Sequence, residues 1–111
     1  MEPATPRSGA RAVVTTDGTL WTANEAFCAL VGQDETGLRR RDWRSLVHAS
    51  DRHYVAAHLV QVLAGNARRS EFDVRLVPAG GGELATHLSV ELARDGEGRQ
   101  GWFLVEATAA T

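Results

Sequence analysis

The chain has 111 residues, of which 43% are hydrophobic and 23% are charged, a composition typical of one globular domain rather than a disordered segment. Its formal net charge of −2 provides no positive field for nucleic acid or anionic lipid, and no apolar window is long enough to cross a membrane. The single cysteine, Cys28, has no partner for an intramolecular disulfide, and the first residues lack the pattern of a secretory signal. We therefore expect a cytoplasmic protein.

The first part of the chain predicts a leader, a hairpin and a helix. Residues 1–10 contain two prolines and small residues, which indicates a flexible leader. Strands are expected at 11–16 and 19–23, joined by a tight turn at Asp17-Gly18. Asn24 is placed to cap a helix that Gly32 ends.

The middle of the chain predicts short helical turns followed by a longer helix. From 33 to 45 the sequence is polar and broken, with apolar anchors at Leu38, Trp43, Leu46 and Val47. A longer helix begins at Ser50 or Asp51 and ends at Gly65-Asn66, because apolar residues recur along it at helical spacing. These residues are Val55, Leu59 and Val62.

After the helix the apolar period changes from 3.6 to 2, which predicts a meander of three strands. The strands span about 70–77, 84–92 and 99–107, with turns at 80–82 and 95–98. The predicted fold is therefore α+β, with one five-stranded antiparallel sheet and the helices packed on one of its faces. The domain is expected over 11–108, with 109–111 starting a C-terminal linker or tail.

The order and spacing of several short motifs resemble the PAS domain family over nearly the whole chain. The last of them, Glu106-Ala107-Thr108, is similar to the D-x-T ending of the family, with glutamate in place of aspartate. The other matching pieces, in chain order, are Asp17-Gly18, the N-x-A-F segment at Asn24, Ala26 and Phe27, Leu30-Val31-Gly32, Val47-His48-Ala49-Ser50-Asp51, Leu59 to Gly65, and Glu71 with Arg75.

The resemblance implies a PAS fold and a non-enzymatic sensory and dimerisation module. Such a module passes a signal to an attached or partner output domain, such as a kinase, a cyclic-dinucleotide enzyme or a transcription factor. The family's D-x-T ending adjoins the output segment, so Glu106, Ala107 and Thr108 are the expected signal-output residues. The expected partners are a second copy of the chain and an output protein, with no direct contact to nucleic acid or membrane.

Two surfaces follow from the strand and helix periods. A ligand cavity is expected between the long helix and the sheet, and a pairing surface is expected on the opposite face of the sheet. The pairing surface is predicted to comprise Phe103 and Val105 with Ala85 and Ala93. The alternative is that the N-terminal leader folds back and covers this patch within one subunit. The cavity is predicted to be lined by Leu30, Val55, His58, Leu59, Val62, Phe72, Val74, Leu88, Val90 and Trp102.

A haem-based redox or gas sensor is the first alternative, because some family members hold haem through a histidine on the long helix. His58 leans towards the apolar face and is the candidate ligand. Phe72 offers no hydrogen bond where oxygen-sensing members have an arginine, and Trp102 is expected to fill porphyrin space. We therefore expect no cofactor. Flavin photochemistry of the LOV type is excluded, because its cysteine motif is missing and Cys28 lies on an earlier helix.

A small cone-shaped α+β enzyme of the hydratase or isomerase type is the second alternative. It requires a carboxylate in an apolar pocket, and Glu106 and Asp73 are the nearest candidates. Asp51 is expected to cap the long helix rather than act as an acid or base. The histidine spacing predicts no metal site, and the arginines at 39–41 with Arg44 indicate a solvated loop with local ion pairs.

Overall fold

The computed structural model describes residues 9–66, 68–94 and 100–109. These residues form five strands, three α-helices and two 3-10 helices. The predicted leader up to residue 8 and the predicted turn at 95–98 lie outside the described residues. In chain order the elements are β1 (Ala10–Thr15), β2 (Leu20–Ala23), α1 (Glu25–Val31), α2 (Glu35–Leu38), 3-10 helices at Trp43–Leu46 and Ala49–Asp51, α3 (Arg52–Leu63), β3 (Arg69–Leu76), β4 (Leu84–Arg94) and β5 (Gln100–Ala109).

The strands form one antiparallel sheet in the order β2-β1-β5-β4-β3, which confirms the predicted fold class. The last strand lies in the middle of the sheet because β5 pairs with β1 on one side and β4 on the other. Val105, for example, faces Ala12 of β1 and Val90 of β4. The first and last strands therefore lie side by side in the sheet.

Local sequence signals set the bounds of α1. The Asn24 side chain accepts a hydrogen bond from the backbone N–H of Phe27 at 2.9 Å, and this satisfies one free donor of the first turn. Gly32 ends the helix at a φ of 73°, a left-handed conformation that favours glycine. Both predicted boundary residues of α1 are confirmed.

The connection between α2 and α3 is held by buried apolar side chains. Leu38, Trp43, Leu46 and Val47 are all buried, as the sequence predicts. The helix α3 then lies over β3 and β4 and buries Val55 and Val62 against them. Within the described residues, no helix is long and apolar enough to span a membrane.

The core lies between the helices and the inner face of the sheet, which is the face that α3 covers. All five strands contribute to it, and none of the helices in the described residues lies on the opposite, outer face. The inner-face side chains come from Ala10, Ala12, Val14, Leu20, Ala23, Phe72, Val74, Leu76, Leu88, Val90, Phe103, Val105 and Ala107.

Candidate functional site

The residues predicted to line a cavity form, with one exception, a continuous packed layer. Six of them are buried in a single hydrophobic cluster that joins α3 to the sheet. Leu30 and Leu59 are partly buried and pack against that cluster. The cavity itself stays a prediction. The six buried residues are Val55, Val62, Phe72, Val74, Leu88 and Val90.

Trp102 is the exception, and its predicted place in the cavity is wrong. Its side chain lies on the outer face with 42% of its surface exposed, whereas its neighbour Phe103 is only 2% exposed. The register explains the difference, because Phe103 pairs with Val14 of β1 and both point into the core. A shift of one residue exchanges the two faces of a strand.

The predicted pairing surface is wrong in its two largest members for the same reason. Phe103 and Val105 are buried at 2% and 3% exposure, so neither is available to a partner. The outer face of β5 instead presents Trp102 and Leu104, and Leu104 is 40% exposed. Ala85 and Ala93 do lie on the outer face, and Ala93 is directly opposite Trp102.

The outer apolar patch, defined as Val13, Ala93, Trp102 and Leu104, crosses three neighbouring strands. Val13 of β1 is the direct neighbour of Leu104. A groove of about 620 Å³ runs beside Leu104 across the sheet, and four of the residues that line it are charged. The patch therefore combines exposed apolar area with a charged rim.

Charges of both signs border the patch. Arg11 donates to Glu106 across β1 and β5 at 3.1 Å, and both side chains are about half exposed. Arg69 of β3 lies opposite Glu91 of β4 along the same groove. A surface that carries both signs can match a second copy of itself under two-fold symmetry.

The predicted output residues lie at the end of β5, beyond the patch. Glu106 points outward into its pair with Arg11, Ala107 is buried, and Thr108 is exposed. Ala107 pairs with Ala10 at the start of β1. A displacement of β5 would therefore also displace the start of β1.

His58 lies in an aromatic stack at the edge of the core. Its ring is nearly parallel to Phe72, with the centroids 4.4 Å apart, and meets the edge of Tyr54 at 4.7 Å. Its Nδ1 lies 2.7 Å from the Ser70 hydroxyl oxygen. Phe72 therefore covers one face of the ring, and the Ser70 hydroxyl lies at Nδ1.

Trp43 places a polar group in the core. Trp43 is 3% exposed, and its indole Nε1 is the buried side-chain donor without a hydrogen-bond partner among the described residues. A buried, unpaired N–H costs about 1–3 kcal/mol of stability. The sequence predicts the burial of Trp43 but contains no sign of its unpaired donor.

Asp51 does not cap α3, so the predicted role of this residue is wrong. Its side chain makes no capping hydrogen bond and instead binds Arg75 of β3. Arg75 donates from its backbone N, Nε and Nη2 at 2.9, 3.1 and 2.9 Å. The hydrogen bonds from Arg75 lower the pKa of Asp51 to about 2. The carboxylate thus ties the start of α3 to the sheet.

The other groups with reactive chemistry are engaged or exposed. Burial raises the pKa of the Cys28 thiol, which makes it a poor nucleophile at neutral pH. The enzyme candidates Glu106 and Asp73 are 48% and 79% exposed rather than enclosed in an apolar pocket. No group of three or more metal-ligating side chains occurs in the described part of the chain.

The arginine-rich loop makes local pairs as predicted. Arg44 binds Asp42 with two hydrogen bonds of 3.0 and 2.7 Å, and Arg39 approaches Glu35 at 4.0 Å. Arg41 donates to the Gln33 side chain at 2.9 Å. These exposed pairs are typical of a solvated loop.

The comparisons with known proteins agree with this architecture. A family described as the PAS fold matches residues 20–105. No curated protein matches the chain. The structure is similar to a PAS domain from Colwellia psychrerythraea, with a TM-score of 0.81, 12% identity, and coverage of 91% of this chain and 86% of that one.

Two further similar structures come from signalling proteins. One is a domain of a sensory box sensor histidine kinase/response regulator from Geobacter sulfurreducens, with a TM-score of 0.71, 20% identity, and coverage of 88% and 80% of the two chains. The other is the N-terminal domain of a diguanylate cyclase with PAS/PAC sensor from Marinobacter aquaeolei, with a TM-score of 0.74, 18% identity, and coverage of 90% and 93%. The chain belongs to the PAS-fold family.

Proposed function

We propose that this chain is a non-catalytic sensory module that acts by pairing with a second copy through the outer face of its sheet. Its signal passes from that interface along β5 to an attached or separate output protein. The observation that carries the proposal is the pair of large apolar side chains, Trp102 and Leu104, exposed side by side on the outer face of the sheet. Exposed apolar patches of this kind usually mark interaction surfaces.

The position of the patch supports transmission of a signal. Trp102 and Leu104 belong to the same strand as Glu106 and Thr108, the predicted output residues. A change in packing angle at the interface would move β5 as a unit, because β1 and β4 hold it on both sides. The sensor proteins among the similar structures support a signalling role for this fold.

We further propose that the module works without haem. The support comes from the packing of the core, where eight of the ten predicted ligand-lining residues lie in or against one hydrophobic cluster. Regulation by pairing, rather than by a large cofactor, fits this packing.

The test is the oligomeric state of Leu104→Glu. Wild type is expected to be a dimer at high micromolar concentration, and the variant a monomer, because a charge buried in an interface without a partner is costly. Light scattering at several concentrations measures the mass, and circular dichroism verifies that the fold is kept.

Val60→Glu is the matched control, because Val60 is also an exposed apolar residue but lies on α3. This variant is expected to remain dimeric. If wild type is monomeric at high micromolar concentration, or if both variants dissociate equally, pairing through the outer face is refuted.

A further inference from the structure

His87 of β4 lies between two carboxylates on the outer face of the sheet. Its Nδ1 is 2.8 Å from an Asp73 oxygen, and its Nε2 is 3.0 Å from a Glu71 oxygen. Both carboxylates come from the neighbouring strand β3, two residues apart. Each nitrogen of the imidazole therefore faces a carboxylate, and an ionised carboxylate accepts hydrogen bonds but cannot donate them.

This geometry selects one protonation state. Only the imidazolium carries an N–H on both ring nitrogens, so only the charged form makes both hydrogen bonds. In the neutral form one nitrogen lone pair would face a carboxylate oxygen. The hydrogen bonds to Glu71 and Asp73 accordingly raise the pKa of His87. The hydrogen bond between His87 and Glu71 also lowers the pKa of Glu71.

The charged neighbours of His87 are unequally paired. Arg69, on the same strand as the two carboxylates, donates to Glu71 at 3.0 Å. Within the described residues no arginine pairs with Asp73, and His87 is the partner of its carboxylate. On the other side of β4, His87 lies opposite Thr108 of β5.

More distant charges on the same face are mostly negative or already paired. Glu106 and Glu91 are the carboxylates nearer the apolar patch, and Glu106 is paired with Arg11. Arg75, at the far end of β3, is engaged by Asp51 and Glu83. Loss of the His87 charge therefore leaves the outer face with a greater excess of carboxylates.

The site is part of the proposed pairing surface. Along the β4–β5 ladder, Leu104 faces Glu91, Glu106 faces Ser89, and Thr108 faces His87. His87 is thus two outward rungs from the apolar patch. When two copies of this face meet, the charge state of His87 in each copy affects their mutual repulsion.

We propose that His87, Glu71 and Asp73 form a pH-sensitive charge clamp that favours self-association when His87 is protonated and disfavours it when the proton is lost. This inference rests on the proposed pairing through the outer face. Because the pKa of His87 is raised, the charge is complete below the ordinary value of about 6.5 and is lost as pH rises through the higher folded value.

The first experiment measures the clamp itself, independently of association. An NMR titration of the His87 ring in dilute protein should give a midpoint above that of the Glu71→Gln/Asp73→Asn double variant. In that variant the midpoint should fall towards the ordinary value of about 6.5. Equal midpoints in the two proteins would overturn the clamp.

The second experiment measures association by sedimentation at pH 6 and pH 9. Wild type should dissociate roughly three- to tenfold more readily at pH 9, the scale of one exposed charge change in each copy. His87→Gln should remove most of this pH dependence. Cys28, His48, His53 and His58 lie on the helical side and are unchanged in the variant.

The outcomes separate the two proposals. If wild type associates equally at both pH values, or if His87→Gln keeps the full pH dependence, the switch is overturned while pairing stands. If wild type is monomeric at both pH values, pairing fails and the switch fails with it. In 1 M salt, where the Debye length is about 3 Å, the pH dependence should shrink.

Discussion

Asp51 concentrates three hydrogen bonds on one carboxylate at the junction of α3 and β3. Because the Arg75 bonds lower its pKa to about 2, the ionised form stabilises the fold above the unfolded value of about 3.9, and this stabilisation is lost as pH falls towards 2. We expect Asp51→Asn to lower the free energy of unfolding by about 1–2 kcal/mol at pH 7, since Arg75 is partly exposed to solvent.

Urea titrations at pH 7, 4 and 3 measure this effect. The difference in free energy of unfolding between wild type and Asp51→Asn should narrow as the pH falls. Protonation of Asp51 removes from wild type the charge that the variant already lacks. His53→Ala, an exposed change on α3, should stay within about 0.5 kcal/mol of wild type. A difference for Asp51→Asn that is constant with pH would contradict the assigned role.

The case of Asp51 shows what a sequence leaves open at this scale. An aspartate at the start of a helix predicts a cap, and the local pattern contains nothing against it. Its real partner lies 24 residues away in another element. The sequence contains many arginines, and the one that faces Asp51 is determined only by packing α3 onto the sheet.

Among the elements, β5 offers a direct test of strand facing. Phe103→Ala should lower the free energy of unfolding by about 3–5 kcal/mol, because it empties a buried aromatic site. Trp102→Ala removes a larger side chain but from the outer face, and should cost about 1 kcal/mol or less. Denaturant titrations of the two neighbouring variants provide the comparison. The reverse order of costs would show that β5 is shifted by one residue.

The sequence determines which residues point to the inner face of the sheet more clearly in some strands than in others. In β3, Phe72 and Val74 alternate with Glu71 and Asp73, so the inner face was predicted correctly from the period alone. In β5, both alternating sets begin with large apolar residues, and the period alone does not choose between them. One of the two sets, Phe103, Val105 and Ala107, is apolar throughout, whereas the other includes Glu106 and Thr108. This difference is the signal in the sequence that indicates the observed inner face.

At the scale of the whole molecule, the sheet depends on residues that are far apart in sequence. Arg11 and Glu106, for example, are 95 positions apart and form an ion pair across β1 and β5. The sequence predicted five strands and their antiparallel arrangement, and family resemblance supplied their order. It left open the charge partners and the exposed patch, because both depend on the register between β1 and β5.

The central place of β5 predicts the pattern of amide hydrogen exchange. Because β1 and β4 cover both of its edges, the amides of Phe103 and Val105 are exposed only when the whole sheet opens. Their free energies of exchange should therefore equal the global free energy of unfolding from denaturant titration. Amides of the short helix α2 and of the edge strand β2 should exchange through smaller, local openings, since fewer contacts hold them. Native-state exchange followed by NMR gives these values residue by residue. If β5 amides exchange more readily than those of β2, the centre of stability lies elsewhere, and a signal at Trp102 and Leu104 could not be carried by β5 as a rigid unit.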